Sequence, residues 1–173
     1  MQSSAKALGH PIHQQLVVFP LGLLATAVVF DVLRLITDND GFATASYFMI
    51  AAGILSGLLA AVFGLIDYLA VPAGTRARRI GALHGVGNVV VVALFAVSWL
   101  LRMGESGHVP TTLAFLLGLV GALLATATGW LGGELVDRLG VGVDPDANLD
   151  APASYETRIK LNRPGRATSG TGS

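Results

Sequence analysis

The chain contains no cysteine in its 173 residues. That excludes disulfides, thiolate zinc sites, cysteine-ligated iron–sulfur clusters, covalently attached c-type haem and a cysteine nucleophile. Charge is almost as scarce, at 13% of residues, against about 25% in a typical soluble domain. Acidic and basic residues balance to a formal net charge of +0. No basic stripe interleaved with aromatics occurs, so nucleic acid is not an expected partner. What the chain does have is apolar bulk, 53% hydrophobic with a mean hydropathy of +0.66. Such a sequence has too little polar surface to face water, and a lipid bilayer is the expected partner.

Crossing a bilayer takes roughly 20 apolar residues. Four stretches qualify, at about residues 12–36, 42–71, 80–101 and 109–135. The first carries charge only at its far end, at Asp31 and Arg34, and the second meets none before Asp67 and is stopped by Pro72. All four are too long for strands and lack period-two alternation, which argues for helices and against a barrel. The first is also longer than a signal-peptide core and lacks a small-residue cleavage site, so it is expected to be retained. Residues 12–137 are thus expected to form an all-α integral membrane domain. Residues 1–11 precede it, and 138–173 form a polar tail expected to be disordered. The short loops between spans predict an up-down-up-down four-helix bundle with no soluble domain inserted. Small residues at Gly53, Gly57 and Gly64, and at Gly118, Ala122, Ala125 and Gly129, suit close helix packing within the chain, with homo-oligomerisation as the alternative use.

Lys and Arg are distributed unevenly. Lys6, Arg76, Arg78, Arg79, Arg138, Arg158, Lys160, Arg163 and Arg166 fall on one side of this topology, and Arg34 and Arg102 on the other. Nine against two places both termini in the cytoplasm of a multi-pass cell-membrane protein.

With that orientation, every span delivers polar or aromatic residues to the cytoplasmic depth. "GHPIHQQL" brings His10 and His13, the second span Asp67 and Tyr68, the third His84 and Asn88, the fourth Trp130 and Glu134. His84 and Asn88 are four apart, hence on one helix face, as are Trp130 and Glu134. Pro11 suits a first helical position, making His10 the expected cap and His13 a first-turn residue. A neutral imidazole keeps a lone pair for a metal, for haem iron or for a proton. Ionisable groups inside a bilayer default to function. The candidate cofactor-binding set is therefore His13, His84, His10, Asn88 and Trp130. The candidate metal set is His10, His13, His84, Asp67 and Glu134.

Plain structural roles are available for the same residues. His13 can donate to a carbonyl, His84 can bond Asn88, Asp67 can pair with Arg76, Arg78 or Arg79, and Glu134 with Arg138. Asp31 and Arg34, three apart, read as a local ion pair, and His108 in "GESGHVP" as an exposed loop residue. "GALHGVGN" follows no strand and is neither a P-loop nor a dinucleotide fingerprint. No catalytic residue is singled out, and the chain is not expected to be an enzyme on its own.

The stretches "GHPIHQQLVVFPLGL", "GLIDYL", "RARRIGALHGVGN" and "GWLGGELVDRLGVGV" together resemble the bacterial membrane family catalogued as domain of unknown function 2231. The resemblance runs from Gly9 to Val143. It matches at His10, Pro11, His13, Pro20, Asp31, Asp67, Tyr68, His84, Asn88, Trp130, Gly132, Gly133 and Glu134. Relatives tend to show a tyrosine and a histidine where this chain has Asp137 and Leu139. The resemblance implies a four-helix membrane protein, with a Rieske-type iron–sulfur protein as a redox partner. Three functions are then open. The first is a redox-associated subunit holding haem b between His13 (or His10) and His84, or a non-haem metal ion. The second is a structural or assembly protein without cofactor. The third is a small proton-linked transporter or channel component.

Overall fold

The computed structural model describes residues 1–154. The distal tail, including Arg158, Lys160, Arg163 and Arg166, lies outside the described residues. The chain opens with two short antiparallel strands, β1 (Lys6–Ala7) and β2 (His10–Pro11). They are joined through Leu8 and Gly9, both at positive φ (51° and 90°), the backbone that a two-residue hairpin turn demands. The helices are α1 (Ile12–Leu16), α2 (Val18–Thr37), α3 (Asp40–Ala70), α4 (Arg76–Leu101) and α5 (Thr112–Gly133). A π-helical turn, Glu134–Arg138, extends α5. α1 runs on into α2, so four helices are long and apolar enough to cross a membrane.

Local chemistry sets the helix boundaries. Asn39, Thr75 and Thr111 each accept a backbone N–H in the first turn they precede, from Gly41, Arg78 and Ala114, satisfying donors that have no intrahelical partner. Asp38 takes the left-handed conformation that ends α2. Pro72 follows α3 closely and cannot continue it. The first helix starts at Ile12, one residue later than the Pro11 signal suggests. His10 therefore lies in β2, outside the helix, and Pro11 is the cap residue.

Helix α2 packs along α3 and α4 along α5, while α3–α4 and α2–α5 contacts complete the bundle. Small residues permit the close approach. A methyl added at Gly53 would sit 2.6 Å from Leu24, one at Gly121 2.9 Å from Phe95, and one at Gly87 2.5 Å from Thr128. The small-residue faces are thus largely used within the chain. The central core is apolar, built from Leu24, Ala27, Val28, Ile50, Val91 and Phe95. Large side chains such as Leu55, Val89 and Leu123 point outward at 65–70% exposure. In water, so much exposed apolar surface would drive aggregation; in a bilayer it faces lipid.

Candidate functional site

Polar side chains gather at two levels, above and below this apolar core. The first level holds the histidines. His13 at the start of the first span and His84 in α4 lie with ring centroids 6.4 Å apart and planes at 88°. The Nδ1 of His13 is 2.8 Å from the Ala60 carbonyl of α3, and the Nδ1 of His84 is 2.9 Å from the Thr128 carbonyl of α5. A carbonyl oxygen only accepts, so in both rings Nδ1 carries a proton, and Nε2 holds the lone pair when the ring is neutral. Each span therefore contributes one anchor to this pair of imidazoles.

Neighbouring groups fix the pair further. The Asn88 Nδ2 lies 3.2 Å from His84 Nε2 and donates to the His84 carbonyl at 2.9 Å, one turn back on α4. Thr128 Oγ1 donates to Asn88 Oδ1 at 3.1 Å. Glycines leave the rings their room: a methyl at Gly64 would come within 2.8 Å of the His13 ring, and one at Gly132 within 3.2 Å of the His84 ring.

The other residues singled out from sequence lie elsewhere. His10 is exposed, and its backbone carbonyl accepts from Gln15. Asp67 accepts from Ser3 Oγ at 2.8 and 2.9 Å and from the Ser4 N–H at 2.8 Å; it holds the N-terminal segment and pairs with none of the three loop arginines. Arg78 instead donates to the carbonyls ending α3 and lies 4.0 Å over the Tyr68 ring. Glu134 pairs with Arg76 at 2.6 Å, across the bundle end, and not with Arg138. Trp130 is 68% exposed. Among the described residues, no three His, Asp or Glu side chains group as a metal would require.

The second level holds a buried ion pair. Arg102, just past α4, donates to both oxygens of Asp31 at 2.7 Å, and the two residues are 0% and 1% exposed. Arg102 also donates to Ser46 and Ser98 at 3.1 Å, and these serines donate onward to the Ala27 and Ala114 carbonyls. The expected Asp31–Arg34 pair does not form; Arg34 turns to Asp40 at 3.1 Å and Asp38 at 3.4 Å. The reason is direction. Asp31 faces the bundle, where only a cation from another helix can reach it, and Arg34 faces the loop. His108 is likewise not a free loop residue: it stacks on Tyr47 at 3.8 Å, which stacks on Trp99 at 5.2 Å.

Sequence reading missed Arg102, Ser46, Ser98 and Thr128. A signal existed for Arg102, since it and Asp31 are opposite charges at the C-terminal ends of the first and third spans, which reach the same depth. Nothing distinguished Thr128 from the neighbouring Thr126, which bonds only within its own helix.

The chain belongs to the family described as "Predicted membrane protein (DUF2231)", whose model matches residues 9–145. No curated protein and no solved structure matches it.

Proposed function

We propose that this multi-pass membrane protein of the DUF2231 family is a redox-associated subunit that holds one haem b through His13 and His84. The observation carrying this reading is the imidazole pair itself, 6.4 Å between centroids. At that separation the two rings are near enough for both to serve one bound group. Both rings have the Nδ1–H to carbonyl bond that typically orients a ligating histidine and leaves Nε2 for the metal.

The donor set also favours haem over a bare ion. A structural zinc takes four protein ligands and a catalytic one three, whereas only two imidazoles meet here. Haem brings four nitrogens of its own to its iron, so His13 and His84 would be a sufficient protein ligand set to hold it. When bound, the haem would supply one-electron transfer. The chain's part is to orient the imidazoles through Ala60 and Thr128 and to keep water out with the apolar core. Asn88 must release the His84 Nε2, for which its bond to the His84 carbonyl is already in place. Losing one neutral hydrogen bond costs about 1 kcal/mol. His10, Asp67, Glu134 and Trp130 have no part in this ligand set.

The Lys/Arg asymmetry supports cytoplasmic termini; on that orientation the histidine pair would lie toward the inner face of the cell membrane. There a Rieske-type iron–sulfur protein, the partner class the family resemblance suggests, would have access to the site. A second reading, a structural protein without cofactor, is favoured by one observation: His84, Asn88 and Thr128 already satisfy one another. A proton-linked transporter draws no support from the apolar layer between the two polar levels.

The visible spectrum of detergent-purified protein, with metal analysis, separates these readings. Haem binding predicts a Soret band that disappears in His84→Ala and in His13→Ala. A protein without the band and without metal, whose histidine variants lose only thermal stability, is the structural one.

A further inference from the structure

We infer that the end of the fourth span binds the headgroup of a phospholipid carrying a primary ammonium, such as phosphatidylethanolamine. The inference does not depend on the histidine pair. A cavity of about 320 Å³ opens where α5 gives way to its π turn, lined by Trp130, Gly133, Glu134, Asp137 and Arg138. That volume is at the small end for ligand sites and suits a headgroup, not a whole lipid. The opening coincides with the π turn, where the Leu139 N–H bonds the Glu134 carbonyl five residues back at 3.2 Å. Such turns often mark functional sites.

Three features of the lining recognise three parts of one molecule. Trp130, 68% exposed, presents an aromatic face to a cation. The Glu134 and Asp137 carboxylates can accept N–H bonds from an ammonium, which choline cannot donate. Glu134 gives Oε1 to Arg76, and Asp137 has no hydrogen-bond or ion-pair partner among the described residues. Arg138, exposed beside them and also without an ion-pair partner among the described residues, matches a phosphate.

The acyl chains have a track as well. Leu116, Val120, Leu123, Ala127 and Trp130 are exposed and alternate four and three residues apart, so they form one continuous stripe. Extending that spacing reaches Glu134 and Asp137. An apolar stripe ending in an aromatic, two acids and an arginine has the order of a phospholipid read from tail to headgroup.

Native mass spectrometry of the full chain in detergent tests this, with phosphatidylethanolamine, phosphatidylcholine and phosphatidylglycerol of identical acyl chains offered at equal concentration. The ethanolamine lipid should be retained roughly fivefold more than either other, as expected for one net hydrogen bond of ordinary strength at an exposed position. Asp137→Asn, at an exposed position, should reduce it to the choline level, and Trp130→Ala should lower retention of both zwitterionic lipids, whose headgroups carry a cation. Circular dichroism confirms that both variants are folded. Equal retention of all three lipids, an ethanolamine preference unchanged in Asp137→Asn, or a lipid-free dimer that Leu123→Asn dissociates would overturn the proposal; the last would assign the stripe to a second copy of the chain.

Discussion

Asp31 and Arg102 close one polar level of the bundle with two 2.7 Å bonds in complete burial, whereas His13 and His84 at the other level keep their Nε2 atoms clear of the backbone. Both levels draw on all four spans, yet the chemistry differs. The ion pair is two full charges that can exist there only together, because each alone would be stranded without water. The imidazoles are held by carbonyls, and a neutral ring can lose its neighbour without leaving a charge. A buried carboxylate tied at both oxygens serves the fold. His13 is bonded through Nδ1, and His84 would have to give up only its Asn88 contact to free Nε2 for a ligand.

The largest effect should come from breaking the ion pair on one side. Arg102→Met leaves the Asp31 carboxylate buried alone and should cost about 3–5 kcal/mol in unfolding experiments in detergent. The double variant Asp31→Leu/Arg102→Met should recover most of that loss, since a packed apolar pair is often as stable as a buried ion pair. If the single variant unfolds like the parent, the pair is not what holds this level together.

At the histidine level, Thr128→Val removes the bond to Asn88 but keeps the carbonyl that orients His84. It should cost about 1 kcal/mol of stability and leave any Soret band in place. Loss of the band in Thr128→Val would mean that the site depends on the hydroxyl and not on the imidazoles. The smallest change is expected from Arg34→Ala, whose partners Asp38 and Asp40 are 90% and 56% exposed. Such surface pairs contribute within about 1 kcal/mol. A thermal shift as large as that of Arg102→Met would erase the distinction between buried and surface pairs here.

Some of this was legible before the fold was known. His84 and Asn88, four apart on a helix, meet as their spacing requires. His13 meets His84 because both lie early in spans that start at the same end. The carboxylates were harder. Asp67 and Glu134 lie at the right depth, but their facing depends on which loop residue reaches them first: Ser3 for Asp67 and Arg76 for Glu134. Nearness in sequence suggested Arg34 for Asp31 and Arg138 for Glu134. In both cases a more distant partner prevailed, Arg102 for Asp31 and Arg76 for Glu134, because spacing along one helix makes a pair possible while packing decides which charge each carboxylate meets.

The sequence alone determined that this chain is helical and lives in a membrane. Hydrophobic run length and scarcity of charge are properties of composition, and a bilayer leaves a backbone with few ways to satisfy its hydrogen bonds. Tertiary structure decided which polar residues meet. Whether Asp31 faces Arg102 or the adjacent loop depends on helix rotation and pairing, set by where glycines let two backbones approach, and no single segment carries that information.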